Sequence, residues 1–280
     1  MQGPTRREPA VAGWFYPADP TELRSEVEEL LGGEEPDLEP RLALVPHAGY
    51  VYSGAIAATV YRRLVLPRVV VLLGPNHHGV GRPFALPRSG AWRTPLGEVA
   101  LAPESETIAA RSSLFSDDWR AHAKDHALEV QLPFLQVLAE RQGRELSLMT
   151  LSVGTHDPDA LAEAGEALAD GLVEAGLTTP QDVLLLVSSD MSHHISSERA
   201  RALDLPALEP LIAGEAQGFF DRIANHGVTA CGVAPATVAL HAARRLGLRP
   251  GELLRYGHSG EVTGDDDRVV AYAAAWLPAA

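Results

Sequence analysis

The sequence predicts an α/β fold, a mostly parallel mixed sheet flanked by helices. Three observations carry that reading. Short Val- and Leu-rich runs at 42–45, 68–73 and 182–187 are bounded by Gly, Pro and Ser, the mark of strands buried on both faces. Segments of helical periodicity alternate with such runs from end to end, as a βαβ arrangement requires. Each of the three runs also opens directly into a loop bearing histidine: PHAGY, GPNHHG and SSDMSHH. In an open parallel sheet, ligands bind in the crevice beyond the carboxyl ends of the strands.

Asp19-Pro20-Thr21-Glu22 reads as an N-cap, a Pro at the first helical position and a capping-box Glu. Leu23, Val27, Leu30 and Leu31 then fall on one helical face, and Gly32-Gly33 ends it. The run at 42–45 leads through PHAGYVYSG to a helix over about 54–64, with Ser53 as its N-cap. After the strand at 68–73, residues 84–101 hold Pro87, Pro95 and two glycines and read as short strands or an irregular excursion. Helical patterns cover about 103–111 and 126–141, and Pro133 predicts a kink or a late start in the second. A strand at 145–153 precedes a helix at about 158–175. The strand at 182–187 precedes a polar connection and helices near 205–213 and 215–225. A helix over about 233–246 stops at Gly247 and Pro250, and strands near 252–256 and 268–276 follow. No linker, low-complexity tract or repeat divides residues 1–280, which are expected to form one domain.

Composition narrows the function classes. The 280 residues are 46% apolar and 21% charged, an ordinary globular balance. A formal charge of −14, with Lys and Arg scattered, argues against a nucleic-acid surface. The lone Cys231 excludes an internal disulfide and removes any need for an oxidising compartment. The first residues lack a continuous apolar h-region, and no apolar stretch approaches the roughly 18 residues that span a bilayer. A soluble, cytoplasmic chain with no nucleic-acid or membrane partner is expected.

His47, His77 and Cys231 form the first candidate cluster. Imidazole and thiolate suit Fe(II), copper or zinc, whereas Mg and Ca prefer oxygen ligands. A shared site requires their ligand atoms to converge within roughly 5 Å. The alternative for Cys231, in VTACG between two helical patterns, is a small buried hydrophobe. His78 is either a further ligand or a hydrogen-bonding residue that orients the site. Asp190 and His193 form the second cluster. Their i, i+3 spacing after a strand suits a carboxylate that fixes an imidazole for acid–base work, or a mere cap of the next segment. His126 and Glu129, also i, i+3, share a helical face and are expected at most to support the ligands from behind, Glu129 being equally open to a surface role as a first-turn dipole residue. His156 and His258 trail apolar runs and are open to either a structural or a functional role. His122, His226 and His241, in or beside helical patterns, are expected to face solvent, and Asp265-Asp266-Asp267 reads as a solvated turn. No GxSxG, P-loop, GxGxxG or HExxH pattern is present, which withdraws support from common hydrolase, nucleotide and zincin readings.

Seven segments together resemble one family: AVAGWFYPADP at 10–20, LVPHAGYVYSG at 44–54, LLGPNHHG at 72–79, WRTPLGEV at 92–99, DHALEVQLPFL at 125–135, VSSDMSHH at 187–194 and TACG at 229–232. They resemble the Memo family, protein B of the AmmeMemoRadiSam system. That family is similar in fold to the LigB-like class III extradiol dioxygenases, non-haem iron enzymes with two histidines and a glutamate on Fe(II) and another histidine as acid–base catalyst. The resemblance implies metal ligands at His47, His77 and Cys231, with Asp190 and His193 beside them. It implies Fe(II) as the cofactor, with copper or zinc as alternatives, and a radical-SAM protein and an AMMECR-type protein as partners. Cysteine in the place of the dioxygenase glutamate makes the site softer, with different redox tuning, so ring-opening activity is not simply inherited.

Three functions follow as expectations. The first is a redox-metal oxidoreductase acting on a small molecule, with His193 and Asp190 moving protons. The second is a non-enzymatic module that holds a metal or partner in the same crevice, which a large exposed apolar patch would favour. The third is a metal-assisted hydrolase, separable from the first because zinc suits hydrolysis and not one-electron chemistry.

Overall fold

The computed structural model describes residues 6–280. Strand β1 (Arg6–Arg7) precedes helix α1 (Pro20–Leu31). Asp19 caps α1 as the sequence predicts, its carboxylate accepting the amides of Thr21 and Glu22 at 2.8 and 3.0 Å. Strand β2 (Pro40–Val45) then leads to α2 (Tyr50–Tyr61). This helix begins four residues earlier than expected, so Ser53 is not its cap. The Phe15 carbonyl accepts the Tyr50 amide at 2.8 Å, satisfying a first-turn donor from outside the helix, and Ser53 instead donates to the Ala48 carbonyl at 2.9 Å.

Next come β3 (Val69–Pro75), β4 (Phe84–Ala85), β5 (Ala91–Thr94) and β6 (Gly97–Ala100), so the 84–101 excursion consists of short strands. Then follow α3 (Glu104–Ala109), β7 (Phe115–Ser116) and α4 (Leu132–Gln142). Pro133 falls in the first turn of α4, where its missing N–H costs nothing, and residues 129–131 form a separate 3₁₀ turn. The remaining elements are β8 (Ser147–Val153), α5 (Pro158–Glu174), β9 (Val183–Ser188), β10 (His193–Ile195), α6 (Ser197–Ile212), α7 (Ala216–Asn225), α8 (Val233–Arg245), β11 (Glu252–His258), α9 (Gly260–Thr263) and β12 (Val269–Pro278). Helix α6 starts eight residues before the expected 205, capped by Ser196, and runs through Pro206 and Pro210. Those prolines disguised it, because Pro is normally a helix breaker.

Nine strands form one sheet, in the order β10-β12-β2-β9-β3-β8-β4-β7, with β11 also on β12. The central strands β2, β9, β3 and β8 are mutually parallel, and β12 and β4 join them antiparallel on either side. A small second sheet joins β1, β5 and β6. Alternate residues of the central strands serve opposite cores. Leu42, Leu44, Val71 and Leu185 pack with α5 and α8, and Ala43, Val45, Leu72 and Leu186 with α1, α2 and α4. Burial on both faces explains why these strands read as continuous apolar runs.

His122 and His241 do not meet the solvent expectation. His122 is buried between Trp92 and Trp119, its Nε2 3.1 Å from the Ala85 carbonyl. His241 is half-buried on α8, where it faces Gly165 of α5. His226 is exposed as expected. No helix among the described residues is long and apolar enough to cross a membrane.

Candidate metal centre

Because β2, β9 and β3 are parallel neighbours, their carboxyl ends open side by side. His47 and His77 each follow their strand by two residues, and Asp190 follows β9 by two. Cys231 arrives from the loop that starts α8. One ligand atom from each of His47, His77 and Cys231 lies within 4.8 Å of the others. The expected convergence therefore holds for residues separated by as much as 184 positions.

Hydrogen bonds set which nitrogen of each ring is free. His47 Nδ1 lies 2.9 Å from Ser188 Oγ. That hydroxyl donates its proton to the Ala127 carbonyl at 2.6 Å and accepts from Gln131 Nε2 at 2.8 Å. A hydroxyl has one proton, so toward His47 it accepts, and Nδ1 carries the hydrogen. Nε2 of His47 is left with its lone pair, 3.1 Å from Cys231 Sγ. His77 repeats the pattern with Asp125. The carboxylate accepts the His77 amide at 2.7 Å and faces its Nδ1 at 3.1 Å, which frees Nε2. Burial raises the Asp125 carboxyl, but the His77 ring and the amides of His77 and Ala127 outweigh it and hold the group well below the usual range.

The Cys231 sulfur accepts the Asp190 amide at 3.2 Å. Burial and the nearby Asp190 carboxyl push the thiol well up, against the opposing pull of that amide and the Ser189 hydroxyl. Gly232 makes the approach possible: a Cβ there would lie 2.3 Å from Ser189 Cβ and 2.5 Å from its Oγ. Its own amide donates to Ser189 Oγ at 2.9 Å, stitching the start of α8 to the end of β9.

Asp190 does not orient His193. Its carboxylate turns inward to accept the His47 amide at 2.8 Å, and burial pushes it up to about 7. The partner of His193 is Thr229, whose hydroxyl accepts the His193 amide at 2.8 Å and whose carbonyl faces Nδ1 at 3.2 Å. The reason lies in the backbone. His193 opens β10 and pairs with Val270, and a bulge follows at His194, whose φ is +60°; the sequence between 190 and 193 is not a helical turn. With Nδ1 on that carbonyl, Nε2 keeps its lone pair, and burial lowers the ring below its ordinary range.

His126 joins the cluster, its ring stacked on His77 at 4.8 Å and edge-on to His47 at 5.4 Å. One ligand atom each from His77, Asp125 and His126 forms a second trio within 4.8 Å. Burial, then the neighbouring His77, pulls His126 down to about 4. Phe15 packs on the His126 ring at 4.6 Å. Glu129 does not hydrogen-bond to His126. Its fully buried carboxylate pairs with Arg7, accepts the Tyr16 hydroxyl, and takes the amides of Ala10 and Val11 at 2.9 and 3.1 Å. It thereby ties down the segment that carries Phe15. His78 also turns aside, exposed and bonded to the Lys124 carbonyl at 3.1 Å.

Sequence reasoning did not single out Asp125, Gln131, Ser188 or Thr229 as residues of the site. Asp125 stood visible beside His126. Ser188 and Gln131 carried no signal, because their importance lies in a hydrogen-bond chain across distant segments.

A family model described as Memo-like protein matches residues 7–276. The chain belongs to the Memo-like family. It is 40% identical over 268 residues to a MEMO1 family protein of Aquifex aeolicus, covering 95% of this chain and 97% of that one. It is 38% identical over 282 residues to a MEMO1 family protein of Methanopyrus kandleri, covering 96% and 97%. A crystal structure of an uncharacterized protein from Escherichia coli K12 covers 83% of this chain and 98% of its own, at TM-score 0.47 and 11% identity, a likeness too remote to bear on chemistry.

Proposed function

We propose that this Memo-like protein is a redox-metal protein, an oxidoreductase holding Fe(II), or alternatively copper, through Nε2 of His47, Nε2 of His77 and Sγ of Cys231. The observation that supports it most is the donor set: two imidazoles whose Nδ1 protons are committed elsewhere, and a thiol 3.1 Å from His47 Nε2, with one ligand atom of each of the three residues within 4.8 Å of the others. The residues fit a soft or borderline cation. Burial and its histidine neighbours hold His47 well below its usual range, so it is neutral and competent to ligate at pH 7. The Asp190 amide is aimed at the sulfur, and a cation would offset the burial that otherwise disfavours the thiolate. Bound iron or copper supplies the one-electron and O2 chemistry that zinc lacks.

The chain's own groups divide the remaining work. His193, anchored by Thr229, presents a free Nε2 that can accept or return a proton. Asp125 and Ser188 hold the ligand rings in register. Phe15 covers the outer face of His126. From family resemblance we extend the proposal to a radical-SAM protein and an AMMECR-type protein as partners, to be checked by co-purification. Anaerobic purification with elemental analysis tests the metal. Near-stoichiometric iron or copper supports the proposal; stoichiometric zinc alone would move it to the metal-assisted hydrolase.

A further inference from the structure

The crevice does not end at the cysteine. A cavity of about 250 Å³ lined in part by His77, His156, Ala230 and Cys231 adjoins a second of about 360 Å³, and the two share His156 and Ala230. The second is walled by Phe220 and Ile223 of α7 and by Val228 and Val233, which flank the TACG loop. None of its lining residues is Asp, Glu, Lys or Arg. Thr229, its one hydroxyl residue, already accepts the His193 amide through that hydroxyl and faces His193 Nδ1 with its carbonyl. The groove therefore asks no charge and little hydrogen bonding of whatever fills it. It also runs from the donor cluster to the residue that anchors His193.

We propose that this groove receives the uncharged apolar tail, aryl or short alkyl, of a small-molecule ligand whose polar oxygen-bearing head reaches the His47, His77 and Cys231 donors. The head's position rests on the metal reading above; the tail's does not. Two adjoining spaces of this size match the range of small-molecule sites, which are mostly apolar with a few convergent polar groups at one end. A protein partner is a poorer fit, because a stable interface uses about 20–30 residues on each side and nine residues line this groove. His156, exposed where the two cavities meet, marks the boundary between the polar head and the apolar tail.

The test compares acetohydroxamate with 4-phenylbutanohydroxamate on the Co(II)-loaded full chain by calorimetry and by the visible spectrum of the cobalt. The two probes share a metal-seeking head and differ in the tail. The tailed probe is expected to bind at least about tenfold tighter to the wild type. Val228→Asp is expected to erase that ratio while cobalt uptake and acetohydroxamate affinity stay unchanged. Phe220→Ser, at a partly exposed wall position, provides the same comparison should Val228→Asp not fold. Equal affinities in the wild type, or a ratio that survives in the folded groove variants, would overturn the proposal. Cobalt that fails to bind, or a spectrum indifferent to both probes, strikes the metal reading instead. In that case displacement of 1-anilinonaphthalene-8-sulfonate by 4-phenylbutanol decides the groove alone: displacement in the wild type and its loss in Phe220→Ser uphold it, and no displacement overturns it.

Discussion

Ser188 Oγ stands 2.9 Å from His47 Nδ1 with its single proton already given to Ala127, so a serine at the end of one strand dictates which nitrogen a histidine just past the neighbouring strand offers. Ser188→Ala leaves Nδ1 without an acceptor and Gln131 Nε2 with one acceptor fewer, the Pro46 carbonyl at 2.9 Å remaining. Metal affinity should fall about 10–100-fold, with stability reduced by about 1–3 kcal/mol. Competition titration with a metal indicator checks the first and urea unfolding the second. Unchanged affinity would show that the ring orients itself.

Asp125 does for His77 what Ser188 does for His47, and it also accepts the amides of His77 and Ala127. Asp125→Asn keeps the shape but cannot offer acceptors to all three donors. A loss of about 10–100-fold in metal affinity is expected, with the fold retained. The same titration applies; an affinity equal to wild type would remove Asp125 from the account.

Gly232 is predicted to be irreplaceable for a reason of space. A Cβ at 2.3 Å from Ser189 forces the start of α8 away from β9 and carries Cys231 with it. Gly232→Ala should cost about 1–3 kcal/mol of stability and lower metal affinity more than Ser189→Ala does. Should Gly232→Ala bind metal as tightly as wild type, the close approach is not what places the sulfur.

Much of this was legible in the sequence, and the exceptions share a cause. The central strands announced themselves because both faces are buried, and His47, His77 and Cys231 could be picked because ligand-type residues followed strands or broke between helices. What stayed hidden depends on where side chains turn after the backbone is placed. Asp190 and His193 sit three apart, yet the non-helical backbone between them leaves one on the His47 amide and the other on Thr229. Glu129 and His126 share a spacing and serve different masters, because Arg7 and Tyr16 claim the carboxylate. His122 lies beside a helical pattern and so reads as solvent-facing, but Trp119 and, from the earlier strand β5, Trp92 enclose it.

That histidine predicts a pH dependence of stability. Burial is the main cause that pulls His122 down to about 4 from an unfolded value near 6.5, against the hydrogen bond to Ala85 that favours its charged form. A group whose folded pKa is depressed contributes its full stabilisation above the unfolded value and loses it as pH falls. Stability should therefore drop between about pH 6.5 and 4, by a few kcal/mol at most from this residue. His122→Gln, unable to take the proton, should flatten that slope in urea titrations at graded pH. A slope identical to wild type would assign the acid lability elsewhere.

The most direct measurement is X-ray absorption at the metal edge of anaerobically iron-loaded protein, wild type beside Cys231→Ser. The account predicts one sulfur neighbour near 2.3 Å together with nitrogen neighbours near 2.1 Å, and loss of the sulfur shell in Cys231→Ser with much weaker iron retention. A wild-type shell of nitrogen and oxygen alone, with equal iron in both proteins, would contradict it.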